Sequence, residues 1–446
     1  MSAAPAVTCN SAAHRQAPAT GVAALTVVMV LFFVMALVAA YTNRNLVFEQ
    51  RISANSYRVA RAAESAEAGL DWAVAMLNGG RVDNNCVPSS NTAYADFRRR
   101  YLVDFSQPDA PEGGYQVPWF NDATLKMYPA CIVRDGVLHC VCPSLAARNP
   151  GMTVAADGMG GAFRIQTELS GSAVRPGAMG VVAKGCASPG SDVTSCYTQS
   201  DTALTTADSV SIDQINVGLL RAMPLAPLAA LTTGGAVLVT GGTLTATNGS
   251  NNAGLTVHAP TLTVSAPGAT VLAGPAGSGS DGLMMDASLS TLAGQPNNRW
   301  FRSLFAIDPV NFAALPATQR VPCPGGACSS TSLTATLDGF PRNPVLVQGS
   351  LTLDVAGQLG DAANPVLLIV NGPLTINAGV TIFGLVHATS INWNAASTVQ
   401  GALVSSGTFT AVQSATLNYR QDLLDTLRLR YGSFVRVPGS WRQRVN

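Results

Sequence analysis

Hydrophobic residues are concentrated most densely in one segment near the N-terminus. Between Gly21 and Ala40 the chain is uncharged and almost entirely apolar. A helix of about twenty such residues, at about 1.5 Å per residue, crosses the roughly 30 Å hydrocarbon core of a bilayer. A cleaved secretory signal has a shorter apolar stretch, of about 7 to 15 residues. The pattern therefore predicts a transmembrane helix over residues 22–41.

The helical pattern continues past this segment. Residues 42–78 contain no proline and are rich in the helix formers Ala, Glu, Arg and Leu. Apolar and small residues recur there at helical spacing and define one face, the packing seam: Phe48, Ile52, Val59, Ala63, Ala66, Leu70, Ala73 and Leu77. We expect the seam to contact a partner. We also expect the helix to end near Asn78, because Gly79 and Gly80 are typical of a helix stop.

Strand patterns dominate the rest of the chain. Runs rich in Val, Leu and Thr recur, each predicting two short strands with a turn between them: Leu238–Ala246, Thr256–Val264, Leu346–Asp354, Ile369–Asn377, Leu385–Trp393 and Leu403–Ala411. Within each block the runs recur with a near-constant period of about 18 residues, which is typical of stacked repeats. Such a period predicts a parallel β-helix (solenoid) in the C-terminal half of a mainly β body. A β-sandwich is the alternative, since its strands also alternate apolar and polar residues.

Changes of pattern divide the chain after the N-terminal helix (22–80). Residues 81–175 predict a small α+β or mostly β subdomain held by disulfides, and residues 176–418 predict the repeat domain. Residues 276–342 break the period and are expected to form an insertion that projects from the repeats. Residues 419–446 predict an amphipathic helix and tail, with the helix capping an open end of the repeats. A docking helix for another subunit is the alternative.

Nine cysteines bear on the compartment, and all except Cys9 follow the apolar segment. The disulfide candidates are Cys86, Cys131, Cys140, Cys142, Cys186, Cys196, Cys323 and Cys328. Cys323 and Cys328 enclose a Pro-Gly-Gly turn, a spacing that suits a short-range disulfide, and disulfides persist in oxidising compartments. We therefore expect the body to lie outside the cytoplasm. The alternative is a zinc site made of Cys131, His139, Cys140 and Cys142, although two separated Cys knuckles are missing.

Composition and motifs argue against nucleic-acid binding and against catalysis. Charged residues make up 11% of the chain, the formal net charge is +1, and the only lysines are Lys126 and Lys184, so no basic tract is present to bind phosphates. Glycosidase or lyase chemistry needs convergent carboxylates, which the repeats lack. His258 and His387 occupy similar places in their repeats, but a lone strand histidine is more often structural. The sequence therefore predicts no catalytic, cofactor or metal site.

Four features mark the N-terminal region: a short leader ending at Gly21, an apolar helix beginning at Val22, a cationic amphipathic continuation and the run Ala60–Ala73. In these features the chain resembles PilX-type assembly proteins of type IV pili, which are minor pilins. The resemblance implies that residues 1–21 are a leader peptide, that a prepilin peptidase cuts after Gly21, and that the new amine of Val22 is methylated. The chain departs from most major pilins at Thr26, where those carry Glu.

The resemblance implies a structural minor pilin-like protein whose partners are the membrane, other pilin subunits and the pilus assembly machinery. The expected location is a single pass through the inner membrane, with the N-terminus in the cytoplasm and the body periplasmic or extracellular. Arg44, Arg51, Arg58 and Arg61 follow the apolar segment and only Arg15 precedes it, which alone would favour a cytoplasmic body. The cysteines favour the opposite side. The alternatives are a membrane-anchored adhesin that binds host surfaces or glycans, and a type II secretion pseudopilin.

Overall fold

The computed structural model describes residues 20–104, 115–116, 128–144, 161–169, 178–187, 209–250, 254–275, 281–296 and 298–444. The chain forms two compact units, Met1–Arg58 and Val59–Asn446. The expected leader up to residue 19, Cys9 and Cys196 lie outside the described residues.

The long N-terminal helix predicted from the hydrophobic pattern is confirmed. Helix α1 runs from Thr20 to Asn78, and Gly79 follows it. The other α-helices of the described residues are short: α2 (Phe97–Tyr101), α3 (Ser288–Ala293), α4 (Arg299–Phe305), α5 (Pro309–Ala313), α6 (Ser330–Gly339) and α7 (Gln421–Arg430).

Strands are the predominant regular structure in the remaining described residues, which confirms a mostly β body. The first group is β1 (Val103–Asp104), β2 (Tyr115–Gln116), β3 (Ala130–Arg134), β4 (Val137–Val141), β5 (Gly161–Leu169), β6 (Ala178–Ala187) and β7 (Ser209–Arg221). The second is β8 (Ala229–Thr233), β9 (Val237–Val239), β10 (Thr243–Thr247), β11 (Leu255–Ala259), β12 (Leu262–Val264), β13 (Ala269–Ala273), β14 (Leu283–Met285), β15 (Gln319–Arg320) and β16 (Ala327–Ser329). The third is β17 (Val345–Val347), β18 (Ser350–Leu353), β19 (Gly357–Leu359), β20 (Val366–Val370), β21 (Pro373–Ile376), β22 (Val380–Ala388), β23 (Ser390–Trp393), β24 (Ser397–Ser405), β25 (Phe409–Ala411), β26 (Ala415–Asn418), β27 (Gly432–Arg436) and β28 (Arg442–Arg444).

An antiparallel sheet forms one part of the body. Its strand order is β4-β3-β5-β6-β7-β27, and β28 also pairs with β7. Side chains of a strand alternate between its two faces. Phe163 and Ile165 on β5 and Val181 and Ala183 on β6 therefore point to the same side, where all four are buried. This is the side that receives the second half of α1.

Two parallel sheets form the other part of the body. A 12-stranded sheet contains the path β13-β10-β26-β24-β22-β20-β17-β15, with β8, β11, β14 and β19 paired alongside, and a 7-stranded sheet has the order β12-β9-β25-β23-β21-β18-β16. In the second block Ile369 pairs with His387, and His387 pairs with Val404, so these positions recur close to the expected period. In the first block Leu231 pairs with Val257. The step there is longer than the one expected from the sequence, which matched Val257 with Val239.

The spatial order of the two repeat blocks differs from their order in the sequence. Strand β9 of the first block pairs with β25 at the end of the second block, and β10 likewise pairs with β26. Strands β12, β13 and β14 therefore lie at one end of the sheets, and β15 and β16 lie at the other. Residues 286–318 connect the two ends along the chain.

The predicted repeat domain and the predicted C-terminal helix and tail differ from what the structure shows. Strands β6 and β7 pair antiparallel with each other and with β5 and β27, so the parallel ladders begin at Ala229 rather than at residue 176. Within the predicted tail, β27 and β28 complete the antiparallel sheet. Helix α7 contacts β22, β24 and β7. Because β22 and β24 are interior strands, α7 lies on a flank of the sheet and does not cap its end.

The predicted insertion, residues 276–342, also contains buried helices. Trp300, Phe301 and Phe305 on α4 and Phe312 on α5 are buried, and they belong to the same apolar core as the parallel strands. The segment therefore packs against the sheets, because its aromatic side chains supply apolar surface that is stabilising only when it is removed from water.

Candidate functional site: the N-terminal helix and its packing face

The first half of α1 exposes a continuous apolar surface. The large apolar side chains from Leu25 to Val38 are 50–75% exposed. Among the described residues, α1 is the one helix that is long and apolar enough to cross a membrane. Within Ala24–Asn78 its most apolar stretch has a mean hydropathy of 2.6, and none of the residues of that stretch is buried. Burying such surface is worth about 25 cal/mol per Å². A hydrocarbon environment therefore suits this segment.

The second half of α1 buries one face against the antiparallel sheet. Ala66, Leu70, Ala73 and Leu77 are each at most 1% exposed. They share a core with strand side chains, among them Phe163, Ile165, Val181 and Val217. Spacings of three and four residues place them on one stripe of the helix.

The packing seam predicted from the sequence thus divides in two. Its C-terminal members Ala66, Leu70 and Leu77 are buried, and Ala63 is half-buried. Val59 is exposed. In the first unit of the chain, Phe48 and Ile52 are exposed as well.

Small residues let the helix approach the sheet closely. A Cβ added at Gly185 on β6 would collide with the carbonyl oxygen of Ala62 and fall 2.9 Å from the Cα of Ala66. On the helix side, a Cβ at Gly69 would lie 3.0 Å from the Phe163 ring. Glycine permits this backbone approach because it has no Cβ. Ala62 and Gly69 are not members of the predicted seam, although their small size and helical spacing are a signal that could have identified them.

The end of α1 is joined to strand β27 by the side chain of Asn78. Its Nδ2 donates to the carbonyl of Phe434 at 2.8 Å, and its Oδ1 accepts from the Phe434 amide at 2.8 Å. The Asn78 carbonyl accepts a 2.9 Å hydrogen bond from Asn343 Nδ2. The last carbonyls of a helix have no partner within the helix. These contacts therefore fix the helix terminus to the body.

Arg98 completes this junction from α2. It is 1% exposed, its Nε donates to the Leu77 carbonyl, and its Nη2 donates to the Gly432 carbonyl at 2.7 Å. The guanidinium also lies 4.9 Å from the centre of the Phe434 ring. A cation at this place is favoured because a helix C-terminus carries partial negative charge. Arg98 was not among the residues predicted from the sequence, and no sequence signal separates it from its neighbours Arg99 and Arg100.

Disulfides hold the segment that surrounds this junction. Cys86, which follows α1, is bonded to Cys142 after β4, and Cys131 is bonded to its register partner Cys140. The zinc alternative is therefore wrong, since Cys131, Cys140 and Cys142 are all used in disulfides.

The other cysteine candidates agree in part with the sequence. Cys323 and Cys328 are bonded across the Pro-Gly-Gly turn. Cys186 on β6 is also disulfide-bonded. Cys196, the remaining candidate, lies outside the described residues.

The two repeat histidines lie in one row of the 12-stranded sheet. His258 pairs with Thr232, Thr232 with Val404, and Val404 with His387. Strands are spaced about 4.8 Å apart, so three spacings put the histidines roughly 14 Å apart. At that distance they cannot act on one substrate atom together.

The two histidines also have different surroundings. His258 Nε2 is 3.3 Å from Asp286 Oδ2. Hydrogen bonds from Ser288, and to a smaller extent from His258, lower the pKa of Asp286. His387 is buried against the rings of Phe301 and Phe305, and burial lowers its pKa to about 4. Neither histidine lies beside the N-terminal helix junction.

Comparisons with known proteins agree with the N-terminal resemblance. Residues 21–71 match the PilX N-terminal family, which confirms the resemblance for that segment. No curated protein matches the chain. Among solved structures, the competence-associated pilin ComZ from Thermus thermophilus aligns with 10% sequence identity over 87% of this chain and 97% of its own, at a TM-score of 0.20, too low to support a conclusion.

Proposed function

We propose that this chain is a structural minor pilin of type IV pilus assembly. The match of residues 21–71 to the PilX N-terminal family indicates a type IV pilin-like protein and supports the proposal. The observation that carries the proposal is the division of α1. Its apolar first half is exposed, and its second half is buried on one face against an antiparallel sheet. A helix of this kind supplies both a membrane anchor and an attachment for a folded body.

The body proposed for display is a β-solenoid. From β20 to β26 the chain alternates regularly between the 12-stranded and the 7-stranded sheet. Every described strand pair in these two sheets is parallel, as expected when each turn stacks on the next. A sandwich made of hairpins would instead pair successive strands antiparallel.

Processing at Gly21 tests the proposal most directly. We expect the mature protein to begin at N-methylated Val22 and to occur in pili sheared from cells. Gly21→Leu should abolish cleavage and incorporation into pili, whereas the neighbouring Thr20→Ala should leave both intact. N-terminal sequencing and immunoblots of the pilus fraction provide the readouts. A mature chain that still begins at Met1 and is absent from pili would overturn the proposal.

The proposed orientation places the body in the periplasm or outside the cell. Its support is the set of disulfides Cys86–Cys142, Cys131–Cys140 and Cys323–Cys328, which persist in oxidising compartments. Cysteine labelling in intact cells should require prior reduction. If these thiols were labelled without prior reduction, and only by a membrane-permeant reagent, the body would instead lie in the cytoplasm.

A type II secretion pseudopilin is a related alternative, because the same helix would serve it. The two assemblies can be separated in strains that lack one of them. Loss of secretion with unchanged pili, after deletion of this chain, would favour the pseudopilin. We propose no enzymatic role for either case. Hydrolysis of a polysaccharide by the purified chain, lost on replacing His258 or His387 by alanine, would contradict that.

A further inference from the structure

A cleft of about 390 Å³ lies between the segment that follows α1 and the parallel sheets. One wall carries Arg81 and Arg99, the second carries Asp338 at the end of α6, and the third carries Gln358 and Asp361 around β19. Its volume is within the range of about 300 to 1,000 Å³ found for small-molecule sites. We propose that this cleft binds a neutral saccharide.

The walls are held in place by hydrogen bonds that Arg81 donates to main-chain carbonyl oxygens. Arg81 Nε donates to the Asp338 carbonyl at 2.7 Å, and its Nη1 donates to the Tyr94 carbonyl at 2.6 Å. The Arg81 amide also donates to the Gly339 carbonyl at 2.8 Å. The cleft is therefore formed before any ligand arrives, which reduces the entropy cost of binding.

The turn on the third wall is ordered in the same way. Asp361 Oδ1 accepts hydrogen bonds from the amides of Ala363 at 2.7 Å and Asn364 at 2.8 Å. Gln358 Nε2 donates to the Gly360 carbonyl at 2.8 Å. This leaves the side-chain amide oxygen of Gln358, Oε1, available as an acceptor.

The cleft is lined by hydrogen-bond donors and by hydrogen-bond acceptors that can bind a ligand. In the part of the chain that the structure describes, neither the Arg99 guanidinium nor the Asp338 carboxylate has a hydrogen-bond partner. Arginine only donates and a carboxylate only accepts, whereas each hydroxyl of a sugar does both. A polyhydroxylated ligand can therefore satisfy both sets at once.

The charges in the cleft favour a neutral ligand. Burial raises the pKa of Asp361, but hydrogen bonds from Asn364 and Ala363, together with the nearby charge of Arg99, give a net lowering. Two arginines are thus balanced by the carboxylates of Asp338 and Asp361, so neither an anion nor a cation is favoured by the sum.

Apolar side chains also line part of the cleft. Leu359 is 6% exposed and Val366 is 3% exposed, and Leu337 and Pro341 are half-buried beside them. A pyranose ring presents C–H groups on its faces and hydroxyls around its edge. An apolar floor with a polar rim matches that distribution.

The experiment uses the full chain in detergent micelles and saturation-transfer NMR. The probes are the methyl glycosides of glucose, galactose and mannose, with glucuronate as the anionic counterpart and N-acetylglycinamide as a peptide-like one. We expect transfer to at least one neutral glycoside. Arg99→Gln removes a charged donor that makes no hydrogen bond within the described residues, and it should weaken that binding about tenfold or more.

Two further variants separate binding from folding. Thr92→Trp should block the cleft while it keeps the main-chain carbonyl that Arg81 contacts, and Arg299→Gln changes an exposed arginine on α4 outside the cleft. We expect loss of transfer in the first and wild-type transfer in the second. Transfer to no neutral glycoside, preference for glucuronate or N-acetylglycinamide, or transfer unaffected by both cleft variants would each overturn the proposal. Incorporation into pili, which tests the proposed function, is measured separately. A failure of saccharide binding can therefore be distinguished from a failure of the proposed function.

Discussion

Arg221 and Gly432 are register partners in the antiparallel sheet, although residues 222–431 lie between them in the sequence. The two apolar cores divide at the same place. One core consists of residues between Ala222 and Tyr431, and the other consists of residues before and after that range. The parallel sheets are therefore an insertion between two neighbouring strands of the domain that receives the helix.

This relationship predicts that the inserted part can be removed. Joining Arg221 to Gly432 through Asn-Gly, a favoured two-residue hairpin turn, should leave the antiparallel sheet folded. We expect the shortened chain to keep one cooperative thermal transition and to lose the second transition of the full chain. The measurement is differential scanning calorimetry in detergent. A shortened chain without any cooperative transition would show that the two cores are not independent.

Replacing Arg98 is expected to destabilise the junction at the end of α1. Arg98→Ala removes the donors to the Leu77 and Gly432 carbonyls and leaves buried acceptors without partners. The expected loss in free energy of unfolding is about 3 kcal/mol or more. Arg98→Lys should recover only part of it, because an ammonium cannot reproduce the planar fork of donors.

The control for this prediction is the exposed neighbour, Arg99→Ala. Its side chain makes no hydrogen bond within the described residues, so denaturant unfolding should shift by less than about 0.5 kcal/mol. Equal midpoints for the variants at residues 98 and 99 would contradict the assigned role of Arg98.

Gly185→Ala should loosen the contact between α1 and the sheet. The added methyl would meet the backbone of Ala62 and Ala66, which cannot move without displacing the helix. Overpacking of this kind costs about 1 to 3 kcal/mol. Gly357→Ala is the matched control, because a Cβ there meets nothing within 4 Å. Chemical denaturation should distinguish the two variants, and similar unfolding midpoints would refute the close approach.

The sequence allowed the helix and the strand repeats to be predicted, because both depend on local periodicity. Leu70 and Leu77 follow the helical period, and runs such as Leu346–Asp354 contain the apolar alternation of strands. The C-terminal part of the seam was therefore predictable. Whether its exposed members, such as Ile52, have a partner depends on surfaces outside the chain.

Non-local pairing could not be predicted in the same way. Leu238 pairs with Thr410, a contact between the first and last repeat runs. Each strand of a parallel stack presents the same main-chain edge, so periodicity shows that the runs stack but does not specify their order. The place of Arg98 is similar, because its burial depends on β27, which is distant in sequence.

The buried ring of His387 makes the parallel sheets sensitive to acid. The ring is 4% exposed, its centre lies 5.5 Å from that of Phe301 and 5.7 Å from that of Phe305, and neither ring nitrogen has a hydrogen-bond partner within the described residues. Burial lowers its pKa from 6.5 to about 4. The folded protein therefore holds this histidine neutral at a pH where the unfolded chain would protonate it.

Acid is accordingly expected to destabilise the fold through His387. As the pH falls below 6.5, the unfolded chain takes up the proton first, so the free energy of unfolding decreases until the pH reaches about 4 and this contribution then levels off. The loss amounts to about 3 kcal/mol at a pH of about 4. His387→Leu should remove this part of the pH dependence, whereas His139→Gln, on an edge strand of the other sheet, should retain it. Urea unfolding across this pH range provides the measurement, and parallel curves for His387→Leu and the unmodified chain would show that protonation of His387 is not coupled to unfolding.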